Sequence, residues 1–207
     1  MIYSEYFAIS PIDGRYKEKT SDLVKYFSEF AYMKYRLKIE VEYFIELSRT
    51  VPQLSNFPEN LMEEMRDFYL KFSITDAVTI KNFEKGVNHD VKAVEYFLRE
   101  KFDLMKLDSS YKEFIHFGLT SQDINNTAFP LMLKDAITEV YRPTITKIRD
   151  KLSELSLAWY RYPMLARTHG QPATPTRLGK ELKVFIERLD NQLLSLRVIK
   201  NSGKFGG

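Results

Sequence analysis

An all-α fold is expected for this chain of 207 residues on three grounds. Apolar residues recur at intervals of three and four through most of it, as a buried helix stripe requires. Most of its eight glycines and eight prolines gather in a few places: Pro11 with Gly14, Pro163 to Pro175, and the end at Gly203, Gly206 and Gly207. No stretch alternates apolar and polar residues in the manner of a half-buried strand, and no internal repeat is visible.

The first element is a turn, Ser10-Pro11-Ile12-Asp13-Gly14-Arg15-Tyr16, which ends in a guanidinium and a phenol suited to a phosphate and a hydroxyl. An ordinary Asp-Gly turn before a helix is the plainer reading of the same residues. From Ser21 to about Arg49, Leu23, Phe27, Phe30, Tyr32, Tyr35, Leu37, Val41, Phe44 and Ile45 mark one long helix. Shorter helical patterns follow at Asn60 to Phe72, Thr75 to Lys85 and Val91 to Phe102, broken by Pro52, Pro58 and the polar run Gly86 to Asp90. Residues 1–111 are therefore expected to form a small helical N-terminal domain.

Past Thr120 the pattern changes. Ile137, Tyr141, Ile145, Ile148, Leu152, Leu155 and Trp159 step by 4, 4, 3, 4, 3 and 4, close to a heptad seam. A helix from Asp123 to Tyr160 would be ~57 Å long at ~1.5 Å per residue, with kinks expected at Pro130 and Pro143. After a Pro-rich loop, a second stripe of Leu178, Leu182, Phe185, Leu189, Leu193 and Leu196 returns antiparallel to the first. Two such helices cannot bury both faces of each other. Residues 112–207 thus read as the start of a central bundle of long helices, truncated here and completed by other chains or further sequence.

Composition narrows the function. With 44% hydrophobic and 29% charged residues the chain is neither disordered nor fibrous. Its net charge of 31 − 28 = +3 is far from that of a dedicated nucleic-acid binder. No apolar run approaches the ~18 residues of a membrane span, and the start MIYSEYFAIS has no basic region, so no membrane partner and a cytoplasmic location are expected. Without cysteine, chemistry must rest on histidine, carboxylates, hydroxyls or lysine. The three histidines have no metal-ligand spacing, and no Gly-rich phosphate loop is present, so no metal or other cofactor is expected.

Each histidine lies in a polar segment. Arg167-Thr168-His169-Gly170-Gln171-Pro172-Ala173-Thr174-Pro175 is too polar for a simple connector, and an imidazole there could carry a proton to a leaving group. The same loop also reads as a helix-to-helix turn with an exposed histidine. In Asn88-His89-Asp90, Asn88 or Asp90 is expected to cap the next helix, which leaves His89 without a structural task and beside backbone donors suited to an anion. In His116 to Asp123, Thr120 or Ser121 should cap the long helix, with Asp123 reaching back as in a capping box. The free N–H groups and two hydroxyls there could hold a carboxylate or phosphate. His116, between Ile115 and Phe117, reads as a satisfied core histidine.

Taken together and in order, Ser10-Pro-Ile-Asp-Gly-Arg-Tyr16, Asn88-His-Asp-Val-Lys-Ala-Val-Glu-Tyr96, Phe114-Ile-His-Phe-Gly-Leu-Thr-Ser-Gln-Asp-Ile-Asn-Asn126 and Arg167-Thr-His-Gly-Gln-Pro-Ala-Thr-Pro175 resemble the adenylosuccinate lyase family. The Arg-Thr-His-Gly-Gln-Pro and Thr-Ser-x-Asp segments are shared in variant forms by the wider fumarase, aspartase and argininosuccinate lyase superfamily. The resemblance implies a helical homotetramer with no cofactor, acting on a small nucleotide substrate. It implies β-elimination of fumarate from adenylosuccinate, giving AMP, and from succinylaminoimidazole carboxamide ribotide. It also implies that His169 is the general acid, that Arg15, Tyr16, Asn88, His89 and Asp90 contact substrate, and that Thr120 and Ser121 cradle the succinyl carboxylates.

One departure stands out. The family's general base is a serine on a Gly-Ser-Ser-x-Met-Pro-x-Lys-x-Asn type loop, and no such segment occurs in this sequence. The closing Lys204-Phe205-Gly206-Gly207 is similar to the opening of a family stretch that continues. The chain is therefore expected to resemble the front part of the enzyme and to be inactive alone. Another superfamily lyase, such as argininosuccinate lyase, and a non-catalytic helical oligomerisation fragment are the alternatives.

Overall fold

A computed structural model describes residues 8–206, so most of the N-terminal segment read for a targeting signal lies outside the described residues. The expected helix from Ser21 onward is interrupted. A short 3-10 turn at Ser21–Leu23 runs into α1 (Val24–Phe27), and Ser28, in extended backbone, restarts the chain as α2 (Glu29–Thr50). The Ser28 hydroxyl accepts from the Ala31 N–H at 3.1 Å, the competition with helix backbone that makes serine a cap. α3 (Glu59–Leu70), α4 (Ile74–Val87) and α5 (Asp90–Leu104) follow where the periodicity places them. Ser73 and Asp76 form a reciprocal capping box at the start of α4.

The long helical run is present as α6 (Ser121–Ala136), a π-helical turn at Ile137–Tyr141 and α7 (Arg142–Ala158). The π turn lies just ahead of Pro143, which has no N–H for the Glu139 carbonyl and whose ring would crowd it. Pro130 lies inside α6. The expectation of no strand is corrected at the Pro-rich loop, where β1 (Pro163–Thr168) and β2 (Gln171–Arg177) form an antiparallel hairpin before α8 (Leu178–Val198). Prolines at 163, 172 and 175 hid it, since they cannot donate to a ladder. A two-stranded ribbon tolerates them because each strand keeps one free edge. The register also shifts between Leu165 and Arg167.

The residues divide into two units. One runs up to Asp135 and includes the end from Asn201; the other is Ala136–Lys200. The first holds the hydrophobic core, with α2 at its centre: Leu37, Val41, Phe44 and Ile45 are buried against Leu54, Met65, Ile80, Phe97 and Phe102. Phe44 meets Phe57 and Phe102 edge-on at 5.2 and 5.0 Å. In the second unit α7 and α8 are antiparallel, as Arg149 to Asp190 (2.9 Å) and the Ser156 hydroxyl to the Gly179 carbonyl (2.7 Å) fix. Gly179 is needed there, because a Cβ would lie 2.2 Å from the Ser156 carbonyl oxygen. Only Ser156 and Gly179 of these two helices are fully buried. Among the described residues no helix is long and apolar enough to cross a membrane.

Candidate active site

The expected cap at the start of α5 is corrected: neither Asn88 nor Asp90 caps it, and His89 does. Asn88 closes α4 in the left-handed conformation at φ 51°, which asparagine tolerates better than most residues. His89 follows in extended backbone, and its Nδ1 accepts from the Lys92 N–H at 3.1 Å. An Nδ1 that accepts leaves the hydrogen of the neutral ring on Nε2, a tautomer inferred from the hydrogen bonds. That Nε2 lies 3.3 Å from the Ser121 hydroxyl at the first residue of α6. Two helix N-termini from distant parts of the sequence thus meet through His89 and Ser121.

At α6 the expected back-reach is present. Asp123 Oδ2 accepts from the Thr120 N–H at 2.9 Å and from its hydroxyl at 3.1 Å. Asp123 is buried and its Oδ1 accepts from the Gly206 N–H at 2.6 Å. Thr120, Asn88, His89 and Asp90 are exposed and Ser121 is half-buried. The cluster therefore presents hydroxyls and an imidazole to solvent at two helix N-termini, a chemistry matched to an anionic oxygen ligand.

Beneath it lie charged side chains that no sequence motif marks. Arg36 of α2 is 5% exposed; its Nη2 donates to Asp90 Oδ2 at 2.6 Å and its Nε to Asn125 Oδ1 at 2.9 Å. Its guanidinium carbon stands 3.8 Å from the Tyr32 ring centroid. Burial alone would raise the Asp90 carboxyl, but the Arg36 charge and hydrogen bond and the Val91 N–H outweigh it and hold it below the usual carboxylate range.

One turn along α2, Glu40 is 1% exposed and its Oε1 lies 2.6 Å from Nδ1 of His116. His116 sits at φ 61° in the turn ahead of α6, and its Nε2 lies 3.8 Å from the buried Glu95, which in turn holds Lys92 at 2.7 Å. The core reading of His116 thus acquires its partners. Burial pushes the Glu40 carboxyl up against the pull of the imidazole. Burial would lower His116, but the hydrogen bond and charge of Glu40, with the charge of Glu95, raise it. The signal for both residues was available: Arg36 and Glu40 interrupt an otherwise apolar stripe at a spacing of four.

Arg15 and Tyr16 lie exposed on a turn held by hydrogen bonds from Gly14 N–H to the Ser10 carbonyl and from Tyr16 N–H to the Pro11 carbonyl. The Arg15 guanidinium stands 5.7 Å from its neighbour's ring. No described hydrogen bond joins this pair to the cluster at α5 and α6. His169 belongs to the second unit. With Gly170 it forms the two-residue turn of the hairpin, both at positive φ (50° and 77°), the form whose twist matches antiparallel strands. Its ring is exposed, and no described hydrogen bond or ion pair engages it. Among the described residues no group of three or more histidine, aspartate or glutamate side chains is arranged for a metal ion.

Known proteins are similar to this chain in sequence and in fold. The chain is 50% identical over 206 residues to adenylosuccinate lyase of Dictyostelium discoideum, an alignment covering 97% of this chain and 44% of that protein. It is 46% identical over 202 residues to the Legionella pneumophila adenylosuccinate lyase, with 97% and 44% covered. To that of Escherichia coli it is 39% identical over 209 residues, with 100% and 46% covered. The chain therefore spans less than half the length of the curated relatives it matches. In fold it is similar to β-carboxy-cis,cis-muconate cycloisomerase of Acinetobacter calcoaceticus (TM-score 0.66, 20% identity, 90% of this chain and 43% of that one). Fumarate lyase of a Mesorhizobium species is comparably close (TM-score 0.65, 22% identity, 90% and 42%). A family model described as Lyase matches residues 14–207, and the chain belongs to that lyase family, within the fumarase and aspartase superfamily its motifs resemble.

Proposed function

We propose that this chain carries the acid and part of the substrate shell of an adenylosuccinate lyase, eliminating fumarate from adenylosuccinate to give AMP and from succinylaminoimidazole carboxamide ribotide. The observation that carries this reading is the meeting of the α5 and α6 N-termini through His89 and Ser121 at 3.3 Å. That juxtaposition offers hydroxyl and imidazole donors at two helix N-termini to a ligand bearing carboxylates. Similarity to adenylosuccinate lyases over nearly the whole chain supports the choice of substrate.

In this reading Thr120 and Ser121 hold the succinyl carboxylates, Asn88, His89 and Asp90 contact the remainder of the substrate, and Arg15 and Tyr16 contact the nucleotide. A base takes the proton from the succinyl carbon next to the C–N carbon. The electron pair spreads onto the adjacent carboxylate, the C–N bond breaks, and His169 protonates the departing nitrogen. An imidazole exposed at a hairpin tip suits delivery of a proton to a site completed by more than one copy of the chain. The base is to be supplied by residues beyond those matched here, so the chain alone is expected to be inactive. The absorbance change on adding adenylosuccinate tests this, with the chain alone and then mixed with an Escherichia coli enzyme disabled at its own histidine loop. Turnover in the mixture only is expected. Silence in both, with no binding of AMP to this chain, would overturn the assignment.

A further inference from the structure

A residue outside every motif described above bridges the two helix starts that form the candidate cradle. α5 begins at Asp90 and α6 at Ser121, and each N-terminus carries the partial positive charge of its helix dipole, although side chains already accept from the Val91 and Lys92 N–H groups of α5. Like partial charges do not hold two helix starts together. Arg36 reaches both from the buried face of α2. One arm of its fork donates to Asp90 at 2.6 Å and its Nε donates to Asn125, one turn into α6, at 2.9 Å. The Tyr32 ring packs on its face at 3.8 Å. A guanidinium makes these bonds in fixed directions from one rigid plane, whereas an ammonium is a single point that cannot reach two partners with that geometry.

We propose that Arg36 is a positioning residue: by holding Asp90 and Asn125 at once it sets the spacing at which His89 Nε2 meets the Ser121 hydroxyl, and so preorganises a cradle for a carboxylate-bearing nucleotide ligand. The ligand class rests on the reading given under Proposed function; the spacing does not. Arg36 lies beneath the cluster at 5% exposure, so it acts through Asp90 and Asn125 and not by touching the ligand. The cap made by His89 Nδ1 on the Lys92 N–H is local to α5 and is independent of Arg36.

The test is the imidazole ¹⁵N spectrum of His89 in this chain, read in wild type, Arg36→Lys, Asn125→Ala and Ser121→Ala. Ser121→Ala supplies the Nε2 resonance of a ring that has lost its partner. Arg36→Lys and Asn125→Ala should each move Nε2 toward that value and leave Nδ1 unchanged. Tyr69→Phe, which removes a hydrogen bond to Glu42 elsewhere on α2, serves as the control for general destabilisation and should leave both resonances in place. If Arg36→Lys does not fold, Asn125→Ala decides. An unchanged Nε2 resonance in a folded Arg36→Lys or Asn125→Ala chain overturns the proposal. In the same variants the affinity for adenylosuccinate, which carries the succinyl carboxylates that AMP lacks, should fall about tenfold, the cost of one charge-assisted hydrogen bond. Wild-type chain that binds no adenylosuccinate while its Nε2 resonance responds to Arg36→Lys would reject the ligand assignment and leave the positioning intact.

Discussion

His116 and Glu40 hold a proton between them more tightly in the folded chain than apart. The imidazole's folded value is raised above its unfolded value of about 6.5, so its contribution to stability is complete below that pH and is lost as pH rises through the folded value. Glu40 is also raised, by burial, and its ionisation costs stability in the same direction. Urea unfolding followed from about pH 6 to about pH 9 should therefore show falling stability, and Glu40→Gln should flatten the dependence. Equal slopes in wild type and Glu40→Gln would refute the pairing. His89 allows capping and site functions to be separated. His89→Ala should cost ~1 kcal/mol as a lost cap, whereas His89→Asn should keep that stability and still weaken AMP binding, since its shorter side chain does not reach Ser121. Undiminished AMP affinity in His89→Asn would remove His89 from the substrate shell.

Helices α3, α4 and α5 were legible from period and punctuation, because a stripe at three and four residues is a local property of sequence. Ser28 was not legible in the same way: a serine between Phe27 and Phe30 of an apolar stripe marks no boundary until its hydroxyl turns back onto the Ala31 N–H. The hairpin is hidden in the sequence for a different reason. Its strands carry prolines, a shifted register and half-exposed or exposed side chains, so none of the usual alternation survives. The first turn of α8 offers a sharp check. Gly179→Ala would place a methyl 2.2 Å from the Ser156 carbonyl and 2.7 Å from the Tyr160 backbone, and should destabilise the second unit by ~1–3 kcal/mol in chemical denaturation. Unchanged stability would mean that the α7 and α8 ends separate freely.

Between them the two units bury their apolar surface unequally. The first closes around Phe44, Phe97 and Phe102, all at or below 2% exposure. In the second, α7 and α8 leave an open groove of about 530 Å³ lined by Ile137, Tyr141, Ile145, Leu189, Gln192, Leu193 and Leu196. Ile148, Leu157, Phe185 and Leu194 lie exposed besides. Apolar surface of that extent favours association. Light scattering over a range of concentrations should show self-association of this chain, and Leu193→Glu should reduce it. A wild-type chain that stays monomeric at high concentration would contradict this.

Helical periodicity, the seam of the long helices, the back-reach of Asp123 and the polar character of the histidine segments were written in the order of residues, because each depends on neighbours within one or two turns. The arrangement of the candidate site was not. Arg36 finds Asp90 and Asn125 at separations of 54 and 89 residues, and Glu40 finds His116 at 76. A charge buried in a helix stripe reads as a flaw until folding supplies its partner, since its cost or benefit lies in the distance to an opposite charge and the water excluded around both. That distance exists only once α2, α5 and α6 have packed.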